Sequence, residues 1–331
     1  MLKVAGHPRG PWELDKLDLR LLKALLADNG IPPGSPVVRK SFRSMAKDLR
    51  VDQATIRSRM KKFQEQGILR GWYLGVSPAL TGHSVVHAWL EVEPDCDKDG
   101  LIKELVTIRG VERVCNYLGP RVSLVLLYRE ERDLDHSLRR ISKLAHPSKL
   151  FHAQGAPSVP FPGLTETDTA IIGNLQQDPW KPYPAAAREL RLSTRTIKRR
   201  VTRLSEAGAI YMLPIISLKS LRGVIPVELV VTYVSGGTKA KLNERIVSRI
   251  RDELMFPLIS GSHGYFALLV PNASMVEGIE RWVKQLDGVN DVHCNVLLDI
   301  VLNSGHYKSQ DSLVDRQSVE VPSRGTSTNA R

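Results

Sequence analysis

Residues 185–208 read AAARELRLSTRTIKRRVTRLSEAG, and residues 44–67 read SMAKDLRVDQATIRSRMKKFQEQG. The second stretch falls on the first at an offset of 141. The match runs without gaps from Ser44–Gly82 onto Ala185–Gly223, with ten identities in 39 pairs, among them Leu49/Leu190, Ile56/Ile197, Arg59/Arg200 and Gly67/Gly208. Self-similarity of this kind marks a repeated structural unit. Phe42, Met45, Ala46 and Leu49 in one copy, and Tyr183, Ala186, Ala187 and Leu190 in the other, recur at i, i+3, i+4, i+7, the apolar face of a helix. A tight turn follows, Arg50–Val51–Asp52 or Arg191–Leu192–Ser193, and Asp52 and Ser193 suit the N-cap of a third helix. That helix turns Ile56, Met60 and Phe63, or Ile197, Val201 and Leu204, inward. Gly67 and Gly208 stand where a glycine ends it.

Upstream, Leu14–Asp18 matches Leu164–Asp168 at an offset of 150, so the first copy carries a nine-residue insertion within the Gly- and Pro-rich Gly30–Lys40. Thr165 with Asp168 reads as a capping box, Leu164 as a staple, and Ile171, Ile172 and Leu175 as the stripe of a first helix. Two short apolar segments, Ile68–Tyr73 and Ala209–Ile216, can form the wing hairpin. The expectation is a winged helix-turn-helix head over 13–82 and another over 164–223.

After each head the pattern gives strand, helix, strand, strand, helix, strand. In the first copy these are Ser84–Glu93, Gly100–Ile108, Val111–Leu118, Val122–Arg129, Leu134–Leu144 and a strand near Lys149–Ala153. In the second they are Val224–Val234, Lys239–Leu254, Phe256–Ser260, Tyr265–Val270, Met275–Gln285 and Val289–Leu302. This βαββαβ order is ferredoxin-like and places such domains at 83–154 and 224–304. The fold class is α+β. Residues 154–163 read as a linker, and 305–331, Ser-rich and without apolar periodicity, as a disordered tail.

Net charge is +12, which favours an anionic partner. Residues 39–70 hold ten Lys/Arg and three Asp/Glu, and residues 181–208 hold eight and two, so +7 and +6 account for the whole excess. The cationic charge is concentrated on the two predicted heads. No apolar run approaches the ~20 residues of a membrane-spanning helix, and Met1–Trp12 lacks the core of a secretory signal. Cys96, Cys115 and Cys294 are odd in number and far apart, which predicts neither a disulfide framework nor a zinc site. The expected compartment is the cytoplasm, with no cofactor and no metal.

With the apolar set inward, the outward face of the third helix is Gln53, Ala54, Arg57, Ser58 and Lys61 in the first copy. In the second it is Thr194, Arg195, Lys198, Arg199 and Thr202. A helix fits the major groove, where arginine can bond guanine O6 and N7 together. Arg57, Arg195, Lys198 and Arg199 are thus candidates for base edges. Lys61, Lys62 and Arg203 are candidates for phosphates, whose neutralisation supplies most of the affinity. Arg59 and Arg200 fall beside the apolar stripe, so their guanidinium groups can reach either a phosphate or a carboxylate. Trp72 and Tyr73 are expected to pack the wing rather than touch DNA. His83, His87 and His293 show no convergent ligand set and read as structural.

Both heads resemble the leucine-responsive regulator/AsnC family of transcriptional regulators. The residues carrying the resemblance are Leu14–Asp18, Ile56–Met60 and Gly67–Gly71, and in the second copy Leu164–Asp168, Ile197–Val201 and Gly208–Ile210. The resemblance implies a winged head followed by a ferredoxin-like domain that dimerises and, in many relatives, senses an amino acid. Relatives usually carry one head and one such domain, so this chain would be an internal pseudo-dimer reading two unlike half-sites of double-stranded DNA, with further homo-oligomers open to it. The family's ligand region carries a glycine and then an aspartate. Here Gly119–Ser123 and Gly261–Tyr265 keep the glycine and lack the acid, so the effector is left unknown.

Two alternatives compete. Siroheme decarboxylases, of the same superfamily, have a first-to-second helix connection that Gln176–Pro184 resembles, and a His-Asn-Tyr-Leu run that Cys115–Leu118 resembles with its histidine replaced. The other is a ligand-binding scaffold that keeps the fold without DNA. A regulator without enzymatic activity is the reading adopted.

Overall fold

The computed structural model describes residues 13–27, 41–155, 163–234, 239–260 and 263–303. The insertion expected within Gly30–Lys40, most of the 154–163 linker and the 305–331 tail lie outside the described residues.

The first head is α1 (Lys16–Ala27), α2 (Phe42–Leu49) and α3 (Gln53–Glu65). After β1 (Leu69–Val76) come β2 (Ser84–Glu91), α4 (Lys98–Leu105), β3 (Val111–Tyr117), β4 (Arg121–Tyr128), α5 (Glu131–Ala145) and β5 (Lys149–Gln154). The second head is α6 (Glu166–Gln177), α7 (Tyr183–Glu189) and α8 (Thr194–Glu206), followed by β6 (Ile210–Ile216). Then β7 (Ile225–Tyr233), α9 (Lys239–Arg249), β8 (Leu254–Ser260), β9 (His263–Val270), α10 (Ala273–Lys284) and β10 (Val289–Leu302) repeat the βαββαβ order.

Each head stands on its own apolar core. Ile56, Met60 and Phe63 of α3 pack on Leu21, Leu22 and Leu25 of α1 and on Met45, Ala46 and Leu49 of α2. Ile197, Val201 and Leu204 of α8 pack on Ile171, Ile172 and Leu175 of α6 and on Ala186 and Ala187 of α7. Burying one such Leu, Ile or Phe contributes roughly 1.5–3 kcal/mol, so these stripes fix which way the third helix faces.

The wing is not a hairpin of either head. β1 pairs antiparallel with β6, from Leu69 opposite Ile216 to Val76 opposite Ile210. Each copy supplies one strand, and among the described residues neither head has a second strand with which to close a turn on itself. β1 begins in the first head's core at Leu69 and ends in the second's at Leu74 and Val76; β6 begins at Ile210 and Met212 in the second and ends beside the first at Ile216. The ribbon straps the two heads together.

The remaining strands form one eight-stranded sheet in the order β5-β2-β4-β3-β10-β7-β9-β8, two ferredoxin-like orders joined where β3 meets β10. β10 makes the join because it is long. Residues 289–296 pair with β7, and residues 297–302 continue onto β3. Helices α4 and α5 bury Leu101, Ile102, Leu105, Leu134 and Ile141 on the outer face of the first half. Ile246 of α9 and Val283 of α10 do the same for the second half. The inner faces meet: His87 and Trp89 of β2 stack on Tyr265 of β9, five places away in the sheet, at 5.6 and 5.5 Å between ring centroids. The first head docks on the second half, where Met255, Leu269 and Leu221 join its core and Lys23 donates to the Arg251 carbonyl. Among the described residues, no helix is long and apolar enough to cross a membrane.

Candidate nucleic-acid interface

The two helix-turn-helix units are built alike from local interactions. Arg50 and Arg191 end the second helices in the left-handed region, at φ 57° and 52°. Their turns close through Val51 N–H to Ala46 O at 3.0 Å and Leu192 N–H to Ala187 O at 2.9 Å. The Asp52 carboxylate accepts the Thr55 N–H at 2.7 Å, and the Ser193 hydroxyl accepts the Thr196 N–H at 3.0 Å, capping α3 and α8 as the sequence required. Gly67 and Gly208 follow at φ 66° and 65°, a conformation costly for any residue with a Cβ. On the outward face Gln53, Ala54, Arg57, Ser58 and Lys61 are exposed, as are Thr194, Arg195, Lys198, Arg199 and Thr202. Lys62 is partly buried, and Lys61 faces Glu65 across 3.6 Å. Arg57, Arg195, Lys198 and Arg199 make no ion pair among the described residues.

Arg59 and Arg200 resolve toward carboxylates. Arg59 donates to both oxygens of fully buried Asp18 at 2.9 Å and reaches Asp15 at 2.6 Å. Arg200 donates to Asp168 at 2.9 Å and to the Thr165 hydroxyl at 2.8 Å. Among the phosphate candidates, Arg203 also meets a carboxylate. Arg203 bonds the second oxygen of Asp168 at 2.5 Å, while its side chain stays 52% exposed. These ties fasten the third helix to the start of the first. The expected capping box of Thr165 and Asp168 is present, and Asp168 serves cap and tie together.

Charge stoichiometry differs between the heads. Burial raises the Asp18 carboxyl above its ordinary value, and the backbone N–H of Asp15 and the Arg59 charge do not fully offset it. Burial also raises Asp168, but there the Thr165 hydroxyl and backbone N–H and two guanidinium groups outweigh it, leaving the carboxyl below its ordinary value. The first head has two acids for one arginine; the second has one acid for two arginines.

The aromatic residues of β1 pack as expected. Trp72 meets Trp180 edge-on at 5.1 Å, and Tyr73 meets Tyr211 at 6.3 Å. Trp180 belongs to the second head, so this packing is between heads, which the sequence did not indicate.

Sequence reasoning also missed the seam between the sheet halves. His87, Trp89, His263 and Tyr265 stack there, and Tyr117 donates to Glu228 at 2.6 Å. Burial, with Arg113 nearby, pushes the His87 imidazole down to about 4, so it is neutral. The partners across this seam lie more than 100 positions apart, and no local pattern links them. The three cysteines are free; burial pushes the Cys115 thiol up to about 11 and Cys294 to about 12, so both stay protonated at neutral pH. No group of three His, Cys, Asp or Glu fit to hold a metal occurs among the described residues. In the turn from β3 to β4, where the family resemblance places an effector, Lys98 Nζ donates to the carbonyls of Tyr117, Gly119 and Arg121 at 2.7, 2.7 and 3.0 Å. Its partner stretch, Gly261 and Ser262, lies outside the described residues.

Comparison with known proteins agrees with this geometry. The AsnC-type helix-turn-helix domain matches residues 164–205. The chain is 36% identical over 73 residues to the HTH-type transcriptional regulator Ptr1 of Methanocaldococcus jannaschii, covering 22% of this chain and 43% of that protein. It is 29% identical over 145 residues to an uncharacterized HTH-type transcriptional regulator of Pyrococcus abyssi, 42% of this chain and 94% of that one. The crystal structure of the siroheme decarboxylase NirDL, in complex with an iron-uroporphyrin III analogue, superposes with a TM-score of 0.53 at 13% identity, over 91% of this chain and 100% of that one. That likeness shows a shared fold across both halves. The chain carries an AsnC-type helix-turn-helix domain whose third helix, α8, is the basic one described above.

Proposed function

We propose that the chain is a cytoplasmic DNA-binding transcriptional regulator of the leucine-responsive regulator/AsnC type, in which two fused copies act as an internal pseudo-dimer. The observation that carries this reading is the pair of cationic third helices, each held outward by its own core. Arg195, Lys198 and Arg199 on α8 and Arg57 on α3 are the groups for base edges, with Lys61 and Lys62 for phosphates. Gln53, Ala54, Ser58, Thr194 and Thr202 complete the facing surface. Arg203 positions α8 through Asp168 and reaches DNA only at its exposed edge.

The two outward faces differ, Gln-Ala-Arg-Ser-Lys against Thr-Arg-Lys-Arg-Thr, so the heads prefer unlike half-sites rather than a true palindrome. Binding-site selection tests this directly; recovery of perfect palindromes overturns it. On random duplex, binding that neutralises six to ten phosphates weakens by about 10³–10⁵ between 50 and 200 mM salt. A flat salt response favours the scaffold reading.

The NirDL likeness motivates a second reading, a decarboxylase. Against it, the position that resembles the histidine of the His-Asn-Tyr-Leu run is Cys115, a buried thiol that does not ionise near neutral pH. A protein that binds rather than catalyses is the reading these residues support, and a tetrapyrrole absorbance on the purified chain would reverse it.

A further inference from the structure

A cleft of about 400 Å³ opens between the heads, within the size range of small-ligand sites and at an interface of the kind that holds them. Its walls come from both copies. Phe42 at the start of α2, Met60 of α3 and Trp72 of β1 line one side; Trp180, from the connection after α6, lines the other. The indole planes of Trp72 and Trp180 meet at 73°, two walls of a corner, and Phe42 adds a third ring 6.3 Å from Trp180. Asp178 supplies a carboxylate at the rim and Gln64 an amide, and among the described residues no lysine, arginine or histidine lines the cleft. Angled aromatic faces beside one carboxylate attract an organic cation, through the negative π faces and the acid together.

We propose that this cleft binds small organic monocations, amines on a hydrophobic body without a carboxylate of their own, and that occupancy alters DNA affinity. The ligand class follows from the lining: an amino acid or organic anion would leave its carboxylate unpaired against Asp178. Coupling follows from the walls, because Met60 and Gln64 belong to α3 while Asp178 and Trp180 belong to the other head. A ligand seated there fixes the distance between the reading helices. The coupling, though not the site, rests on the DNA-binding function proposed above.

The test uses the full chain, with 2-phenylethylamine as probe and phenylacetate as its charge-reversed control. Trp72 and Trp180 report binding through indole emission. The amine is expected to shift emission saturably and phenylacetate is not; an equal response to both, or no saturation with the amine, overturns the site. Asp178→Asn keeps the oxygen that accepts the Trp180 backbone N–H at 3.0 Å and is expected to weaken amine binding about fivefold, the loss of one exposed charge pair. Gln64 of α3 lines the cleft with an exposed side chain. Gln64→Arg therefore sets a cation against the site and is expected to abolish the response while the melting temperature holds. Amine response retained in Gln64→Arg overturns the placement. Saturating amine is expected to change the duplex Kd by about fivefold or more, and duplex to change the amine Kd by the same factor. Amine binding with an unchanged duplex Kd overturns the coupling. A chain that binds no duplex overturns the function proposed above, and the emission titration still decides the site.

Discussion

At the scale of single residues, the informative feature is where each arginine spends its charge. Arg57, Arg195 and Arg199 project to solvent from helices whose opposite faces are sealed, while Arg59, two residues after Arg57, and Arg200, next to Arg199, turn inward to Asp18 and Asp168. Replacing Arg59 by Met strands a buried acid, and we expect a loss of about 3 kcal/mol in chemical denaturation. Arg195→Ala is expected to cost about 1–3 kcal/mol in duplex affinity, confined to the second half-site, with no change in melting. The buried acids themselves titrate oppositely. Asp168, held below 3.8, stabilises the fold above that value, and the contribution disappears as pH falls through its lowered folded value. Asp18, raised above 3.8, is costly when ionised, so acidification from its raised value toward 3.8 relieves the first head. Carbon-13 carboxyl titration should place Asp18 above and Asp168 below the ordinary aspartate midpoint. The reverse order would contradict the difference in acid-to-arginine ratio.

At the scale of elements, the ribbon of β1 and β6 determines how the heads relate. Gly75 lies opposite Tyr211, and a Cβ at Gly75 would fall 2.2 Å from that ring. Gly75→Val is therefore expected to displace Tyr211 from its contact with Tyr73 and to destabilise by about 1–3 kcal/mol. Tyr211→Ala in the same chain should recover most of that loss in a double-mutant cycle. Additive effects would mean that the ribbon register is not the one described. The helices were legible in advance because their signals are local: a stripe at i, i+3, i+4, a cap at Asp52 or Ser193, a glycine at 67 or 208. The ribbon was not, since a strand carries no record of its partner. Ile68–Tyr73 and Ala209–Ile216 read as wing material, but which segment pairs with which depends on the 133 residues between Val76 and Ile210.

At the scale of the whole molecule, the copies are cross-braced rather than strung in series. The first head completes its core with Leu221, Met255 and Leu269 from the second copy. The second completes its core with Leu74 and Val76 from the first, and β10 extends the first sheet. A chain ending at residue 155 would expose all three surfaces. We expect such a fragment to lose a cooperative unfolding transition and to bind a hydrophobic dye, whereas the full chain unfolds with both halves coupled. Independent folding of the fragment would show that the cross-bracing contributes little.

From the sequence alone came the two heads, the outward basic faces and both βαββαβ orders, because burial periodicity and capping are written within a few residues of where they act. Tertiary structure alone decided that the arginines beside the stripes are ties, that the wing is shared and that the heads enclose an aromatic cleft. It also decided that His87, Trp89, His263 and Tyr265 converge on one seam. Each of these depends on a distance between residues remote along the chain, and such distances are set by how the packed layers meet.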